Sequence, residues 1–175
     1  MSWRILTYRL TADESKHRVG VWRELRRVGA VALQSATWAI PPGDGFNEGV
    51  ARAVKFVERG GGRPLLFEVT PSEASASALE ELFTGEREAE WVEFLSECDK
   101  AEAELHGEID KEKFTLAELD EEEQNLDRLR RWYRELRAKD LFGAPSAPRG
   151  ELRLKECVEL LEEFAERVFE ARERP

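Results

Sequence analysis

The sequence predicts an α+β protein in two parts: a sheet domain over residues 1–71 and an antiparallel three-helix bundle over residues 72–175. Three observations carry that prediction. Apolar residues alternate or run together in short stretches up to Val69, and from there they recur at helical spacing. Turn clusters at Pro41-Pro42-Gly43-Asp44-Gly45 and Gly60-Gly61-Gly62 punctuate the first part. Charge changes sign at the same place. Residues 1–72 hold 11 Lys/Arg against 7 Asp/Glu (+4), and residues 73–175 hold 16 against 30 (−14).

Trp3 to Leu10 is apolar on both faces of an extended chain, with Trp3, Ile5 and Thr7 on one and Leu6, Tyr8 and Leu10 on the other, which suits a central strand. Asp13 or Ser15 caps a helix that runs to Val28. Val21, Leu25 and Val28 recur at i, i+4 and i+7, and Trp22 widens that apolar stripe. Gly29 stands where a helix end wants a residue tolerant of positive φ. Ala30–Ile40 supplies one long bent strand or two short ones broken near Ser35. Asp44 is a candidate N-cap for a second helix marked by Val50, Val54 and Val57 and closed by Gly60-Gly61-Gly62. Leu65–Val69 is the last strand. The order β-α-β(β)-α-β is the ferredoxin-like, split βαβ pattern, in which two helices on one face of the sheet bury the valines and Trp22.

Thr70-Pro71-Ser72-Glu73 reads as N-cap, N1 proline and N3 glutamate. Leu79, Leu82 and Phe83 form a first apolar patch. Trp91, Leu95, Cys98 and Leu105 continue it after a break expected near Gly85, and Gly107 with Asp110–Lys113 makes a corner. Thr115 and Glu118 form a capping box for the next helix, with Phe114 able to staple onto Leu119. That helix is acidic early and basic late, matching its own dipole. After the elbow Gly143–Pro148, Leu154, Val158, Leu161, Ala165 and Val168 carry a last stripe, flanked by Cys157, Phe164 and Phe169. Three such stripes solve one another by packing together.

With 41% hydrophobic and 37% charged residues, the composition is that of a soluble protein rich in exposed helix. A net charge of −10 argues against a general nucleic-acid coat, but screening confines fields to about 10 Å, so a local basic patch can still act. No signal-peptide pattern opens the chain. The uncharged run Val28–Gly43 is shorter than the roughly 20 residues a spanning helix needs. The expectation is a cytoplasmic protein with no membrane partner.

Each chemically suggestive residue also has a plain structural reading. The carboxylates of Glu118–Glu123 read as a solvated helix face before they read as acid–base groups. Cys98 and Cys157 sit on apolar stripes and read as buried, inert thiols. Redox or metal use would require them to meet in the bundle. His17 and His106 lack any ligand spacing for zinc. The triple glycine lacks the Lys-Ser/Thr of a phosphate loop. No nucleophile signature appears. The expectation is no enzyme, no cofactor and no metal. Lys16, Arg18, Arg23, Arg26 and Arg27 on the first helix are the least ordinary group. They read either as a solvated surface, docked or not onto the acidic bundle, or as phosphate contacts on DNA. Arg130-Arg131-Trp132-Tyr133-Arg134 is a weaker basic–aromatic candidate. There Trp132 or Tyr133 continues the core stripe of Leu126, Leu129 and Leu136.

The run HRVGVWRELRRVGAVALQSATWAIP, with KFTLAELDEEEQNLDRLRRWYRELRAKDLFGAP downstream, resembles the N-terminal domain of the chromate-resistance regulator ChrB across about residues 3–170. The resemblance implies a DNA-binding regulatory role, with Lys16, Arg18, Arg23, Arg26 and Arg27 as the DNA contacts. Full-length members continue into a second domain associated with chromate sensing, which this sequence lacks, so a chromate response does not follow from the resemblance. The sheet part resembles, more faintly, the ferredoxin-like unit of the phenylacetate-pathway repressor PaaX and of the small CRISPR adaptation subunit. In that subunit an Asp follows the first strand's Tyr; here Arg9 follows Tyr8, so nuclease activity is not implied.

Two readings of function remain. The first is a ChrB-like regulator that binds operator DNA as a homodimer and controls chromate resistance. The second is a non-catalytic protein-interaction or structural module whose basic helix never meets DNA. Thiol- or metal-dependent chemistry on chromate is a distant third.

Overall fold

A computed structural model describes residues 1–10 and 15–173; the cap expected at Asp13 lies outside the described residues. The architecture is α+β, a four-stranded antiparallel sheet followed by long helices. In chain order the elements are β1 (Trp3–Arg9), α1 (Ser15–Val28), β2 (Val31–Gln34), β3 (Thr37–Ile40), α2 (Asn47–Arg59), β4 (Arg63–Val69), α3 (Glu73–Asp110), α4 (Leu116–Lys139) and α5 (Ala147–Glu173). The chain forms two compact units. One holds Met1–Arg87 with Ala138–Phe142; the other holds Glu88–Arg137 with Gly143–Pro175.

In the first unit the strand order is β2-β3-β1-β4, with every neighbouring pair antiparallel. This is the ferredoxin-like arrangement. β1 is central, as its two apolar faces require. Leu6 packs with Trp38 and Ile40 against Val21 and Leu25 of α1 and against Val50, Ala53 and Val57 of α2. Each aliphatic side chain fully buried in this way contributes roughly 1.5–3 kcal/mol. On the opposite face Trp3, Val31 and Ala39 meet Phe83. There Trp3 stacks on Phe142 at 5.9 Å, and Phe83 meets Phe142 edge-on at 5.3 Å. The alternative left open at Ser35 resolves as two strands, with Ala36 at φ 56° in the turn.

α1 ends as its glycine predicts. Gly29 has φ 82°; its N–H bonds the Arg26 carbonyl and the Ala30 N–H bonds that of Leu25, the two bonds of a Schellman cap. The triple glycine closes α2 by the same pair of bonds, Gly61 to Glu58 and Gly62 to Val57. α1 and α2 approach closely because Gly49 has no side chain: a Cβ there would lie 1.8 Å from Val28 Cγ1.

In the second unit Trp91, Phe94, Cys98 and Leu105 of α3 pack with Leu119, Leu126, Leu129 and Leu136 of α4 and with Cys157, Leu161, Phe164 and Val168 of α5. Early α3 meets late α4, as in Trp91–Tyr133 and Phe94–Trp132, so these helices are antiparallel. Trp91 faces Gly150 and Cys98 faces Cys157, so α5 runs back alongside α3. Three helices, up, down and up, form the expected bundle.

Several expectations are corrected. Trp22 is 53% exposed rather than buried, because Val21 and Leu25 face the sheet and Trp22 points a quarter-turn away. Leu82 is likewise 51% exposed, since Leu79 and Phe83 turn inward instead. α3 runs unbroken through Gly85, around which there is open space, so one glycine in a 38-residue helix costs propensity but breaks nothing. The helix starts at Glu73 and its cap is Ser72, whose Oγ accepts the Ser75 N–H at 3.3 Å, not Thr70. Asp44 opens a single 3-10 turn, Asp44–Phe46, ahead of α2 instead of capping it. The corner after α3 falls in the expected Asp110–Lys113, where Glu112 adopts φ 53°, while Gly107 stays within the helix. β4 begins at Arg63, two residues early, and its outer residues Leu65, Leu66 and Phe67 remain 46–48% exposed.

Candidate nucleic-acid interface

α1 sets the candidate site. Projected down its axis, Val21 and Leu25 mark the buried side, with His17, Glu24 and Val28 half-buried at its margins. The remaining half of the circumference carries Lys16, Arg18, Val19, Trp22, Arg23, Arg26 and Arg27, all exposed, with Arg18 and Arg27 at its two edges. All five basic residues singled out in the sequence therefore share one solvent-facing arc. The one acidic residue of α1, Glu24, is off that arc.

The cations differ in how they are held. Arg26 Nη1 lies 3.2 Å from Glu86 Oε2, and its guanidinium sits 5.9 Å from the centre of the Trp22 ring. Arg27 Nη2 and Arg52 Nε both donate to Glu24 Oε2, at 2.8 and 2.9 Å, and Arg52 also reaches Glu48 at 3.5 Å. Partial burial alone would raise the Glu24 carboxyl; the hydrogen bonds from Arg52 and Arg27 outweigh it and hold the group below the usual carboxylate range. Glu24 therefore stays ionised and organises two arginines at the edge of the arc. Exposed pairs of this kind are worth about 0–1 kcal/mol, so a phosphate can compete for either guanidinium. Lys16 and Arg23 flank a shallow cleft of ≈ 350 Å³ whose remaining walls are Ser15, Val19, Gly20 and Phe56.

The C-terminal end of α1 is fastened by a side chain that the sequence does not advertise. Arg87 of α3 is 1% exposed, donates from Nη1 to the Gly29 carbonyl at 2.8 Å, and lies 4.8 Å from the Phe83 ring centre. A guanidinium there satisfies a carbonyl that the end of a helix leaves without a backbone partner.

A model of the protein family described as Protein ChrB, N-terminal, matches residues 18–175. The chain belongs to this family. The ChrB match takes in Arg18, Arg23, Arg26 and Arg27, and it leaves β1 and Lys16 outside. It makes the protein ChrB-like and associated with chromate resistance. No curated protein matches the sequence significantly.

The other candidates are placed as follows in this ChrB-family chain. Cys98 and Cys157 are buried and do meet: Cys157 Sγ donates to the Cys98 carbonyl at 3.5 Å. The neighbouring Cys157 sulfur and burial together push the Cys98 thiol well above the ordinary thiol range, which keeps it neutral. Arg153 ties α5 to α3 through Asp99, at 2.8 Å, and Glu102. In the acidic run, Glu118 Oε1 lies 3.6 Å from Lys113, and its N–H bonds Thr115 Oγ1 at 3.3 Å as a capping box predicts. Glu122 departs from the solvated reading. It is buried, and burial is the main cause that raises its carboxyl pKa, only partly offset by the Asn125 side-chain amide. Trp132 and Tyr133 pack on Phe94 and Trp91, so the second basic–aromatic candidate spends its aromatics in the core. Among the described residues no three His, Cys, Asp or Glu side chains group as metal ligands, and no helix is long and apolar enough to cross a membrane.

Sequence reasoning missed three participants. Trp22 was placed in the core, although its spacing of four from both Arg18 and Arg26 signals a shared stripe with them. Arg52 had a legible signal only as an i+4 partner of Glu48. Arg87 had none, because its partner lies 58 residues away.

Proposed function

We propose that this chain is the DNA-contacting part of a ChrB-like regulator of chromate resistance, and that the exposed arc of α1 lies along the phosphate backbone. The observation that carries this reading is the exposure of Lys16, Arg18, Arg23, Arg26 and Arg27 on the solvent side of α1, where the helix itself places no acidic residue; the pairs of Arg26 with Glu86 and of Arg27 with Glu24 are exposed ones that a phosphate can displace. Arginines at helical spacing on a rigid element can position a protein on a duplex without reading its sequence. The part played by the chain is non-catalytic. The exposed residues Leu65, Leu66 and Phe67 of the sheet-edge strand β4 favour a protein contact as well, a second copy of the chain in this reading. If the edge alone mattered, the protein would be an interaction module.

Binding to a duplex from the promoter region beside its own gene, measured by fluorescence anisotropy over a salt series, separates the two. Neutralising four or five phosphates gives a slope of log K against log salt of about −4. The triple variant Arg23→Gln/Arg26→Gln/Arg27→Gln is expected to lose most of the affinity and to flatten the slope by about 2–3. A folded triple variant that binds as the parent does removes α1 from the interface.

A further inference from the structure

The nucleic-acid reading accounts for the arginines of α1 and leaves its tryptophan unexplained. A phosphate ladder needs only cations. Trp22 stands in their midst, 53% exposed. It cannot be serving the core, which Val21 and Leu25 fill from the other side. Arg18 and Arg26 lie one turn before and one turn after it, each displaced by about 6 Å along the axis. The Arg26 guanidinium already sits 5.9 Å from the ring centre, so the indole is steadied on one side by a cation and open to solvent. An aromatic plane flanked by two guanidiniums is the elementary unit of single-strand binding: the ring takes a base, and the cations take the phosphates on either side of it. Bases paired and stacked within a duplex offer no such face.

We infer that Trp22, one turn from Arg18 and from Arg26 on the exposed side of α1, is a stacking platform for an unpaired nucleobase, so that this face binds single-stranded or locally opened DNA in preference to closed duplex. The inference rests on the nucleic-acid reading above and adds the strand state of the ligand. Trp22 acts there by direct contact with the base, while Arg18, Arg23 and Arg26 supply the salt-dependent attraction.

The test compares labelled (dT)15 with a 15-base-pair duplex of mixed sequence, using the full chain. Because Trp22 is 53% exposed, its substitution is expected to leave the fold intact, which circular dichroism and thermal melting verify. The parent is expected to bind (dT)15 more tightly than the duplex. Trp22→Ala should weaken (dT)15 binding roughly 5- to 100-fold, with the salt slope unchanged, and Trp22→Phe should restore most of the loss. Arg23→Gln should reduce the slope by about 0.7 on the single strand. Binding of (dT)15 should also quench indole emission in the parent and not in Trp22→Phe. If Trp22→Ala binds (dT)15 within two-fold of the parent while Arg23→Gln is impaired, the stacking role is overturned and the cationic face stands. If Arg23→Gln and the triple variant are unaffected too, or the parent binds neither probe, the nucleic-acid reading falls with it.

Discussion

At the residue scale, the informative side chains are those whose neighbours contradict their chemical type. Trp22 is apolar and wet; Arg87 is charged and dry; Glu122 is an acid inside a leucine seam. Glu122 makes a pH prediction with a definite sign. Its carboxyl pKa is raised in the folded chain, chiefly by burial, above an unfolded value near about 4.3. Ionised Glu122 therefore costs stability at neutral pH, and the cost disappears as pH falls through the raised value. Glu122→Gln is expected to raise Tm at pH 7 by about 1–3 °C and to give no gain at pH 4, read by calorimetry at both values. Equal melting at pH 7 would mean that the carboxylate is as well hydrated in the fold as out of it.

At the scale of the element, helices and strands follow from periodicity because burial on one face imposes it. Both faces of β1, the glycine end of α1 and the capping box of α4 are local patterns, and each is legible. The misplacements arise where two local signals compete. Ser72 and Thr70 are both good caps, and the proline at 71 suits either neighbour, so only the fold decides. Trp22 is bulky enough to suggest a core residue, yet its angle on the helix overrules its hydrophobicity. Close approach is the least visible feature of all. Gly49 looks like a poor helix residue, but its missing side chain is what lets Val28 lie against α2. Gly49→Ala should cost about 1–3 kcal/mol in urea unfolding. It should also push α1 outward, weakening nucleic-acid binding while every arginine is still present. A variant as stable as the parent would mean that Val28 repacks freely.

At the scale of the whole molecule, the charge asymmetry read from the sequence persists as an exposed cationic arc on a protein of net charge −10. That arc acts against the net charge of the whole chain, and α4 carries further exposed arginines at Arg128, Arg130, Arg131 and Arg134. Raising salt should accordingly weaken binding without exposing a second, salt-resistant mode. The α+β architecture and the ChrB relationship were within reach of sequence reasoning. The basic face of the first helix was legible too, because the stripe of Val21, Leu25 and Val28 already says which side the arginines leave to the core. What required the structure was the exposure of Trp22 and the partners that other elements bring, Glu86 to Arg26 and Arg52 to Glu24.

The sulfur pair of Cys98 and Cys157 gives the second unit an internal clock. Closed in by aromatic and aliphatic neighbours, neither thiol meets an alkylating reagent until the bundle breathes. The pace of iodoacetamide capture, followed by mass spectrometry, should thus time that opening, with both sites taken together rather than in succession. Fast labelling of one cysteine alone would reveal a fraying helix rather than a cooperative lobe.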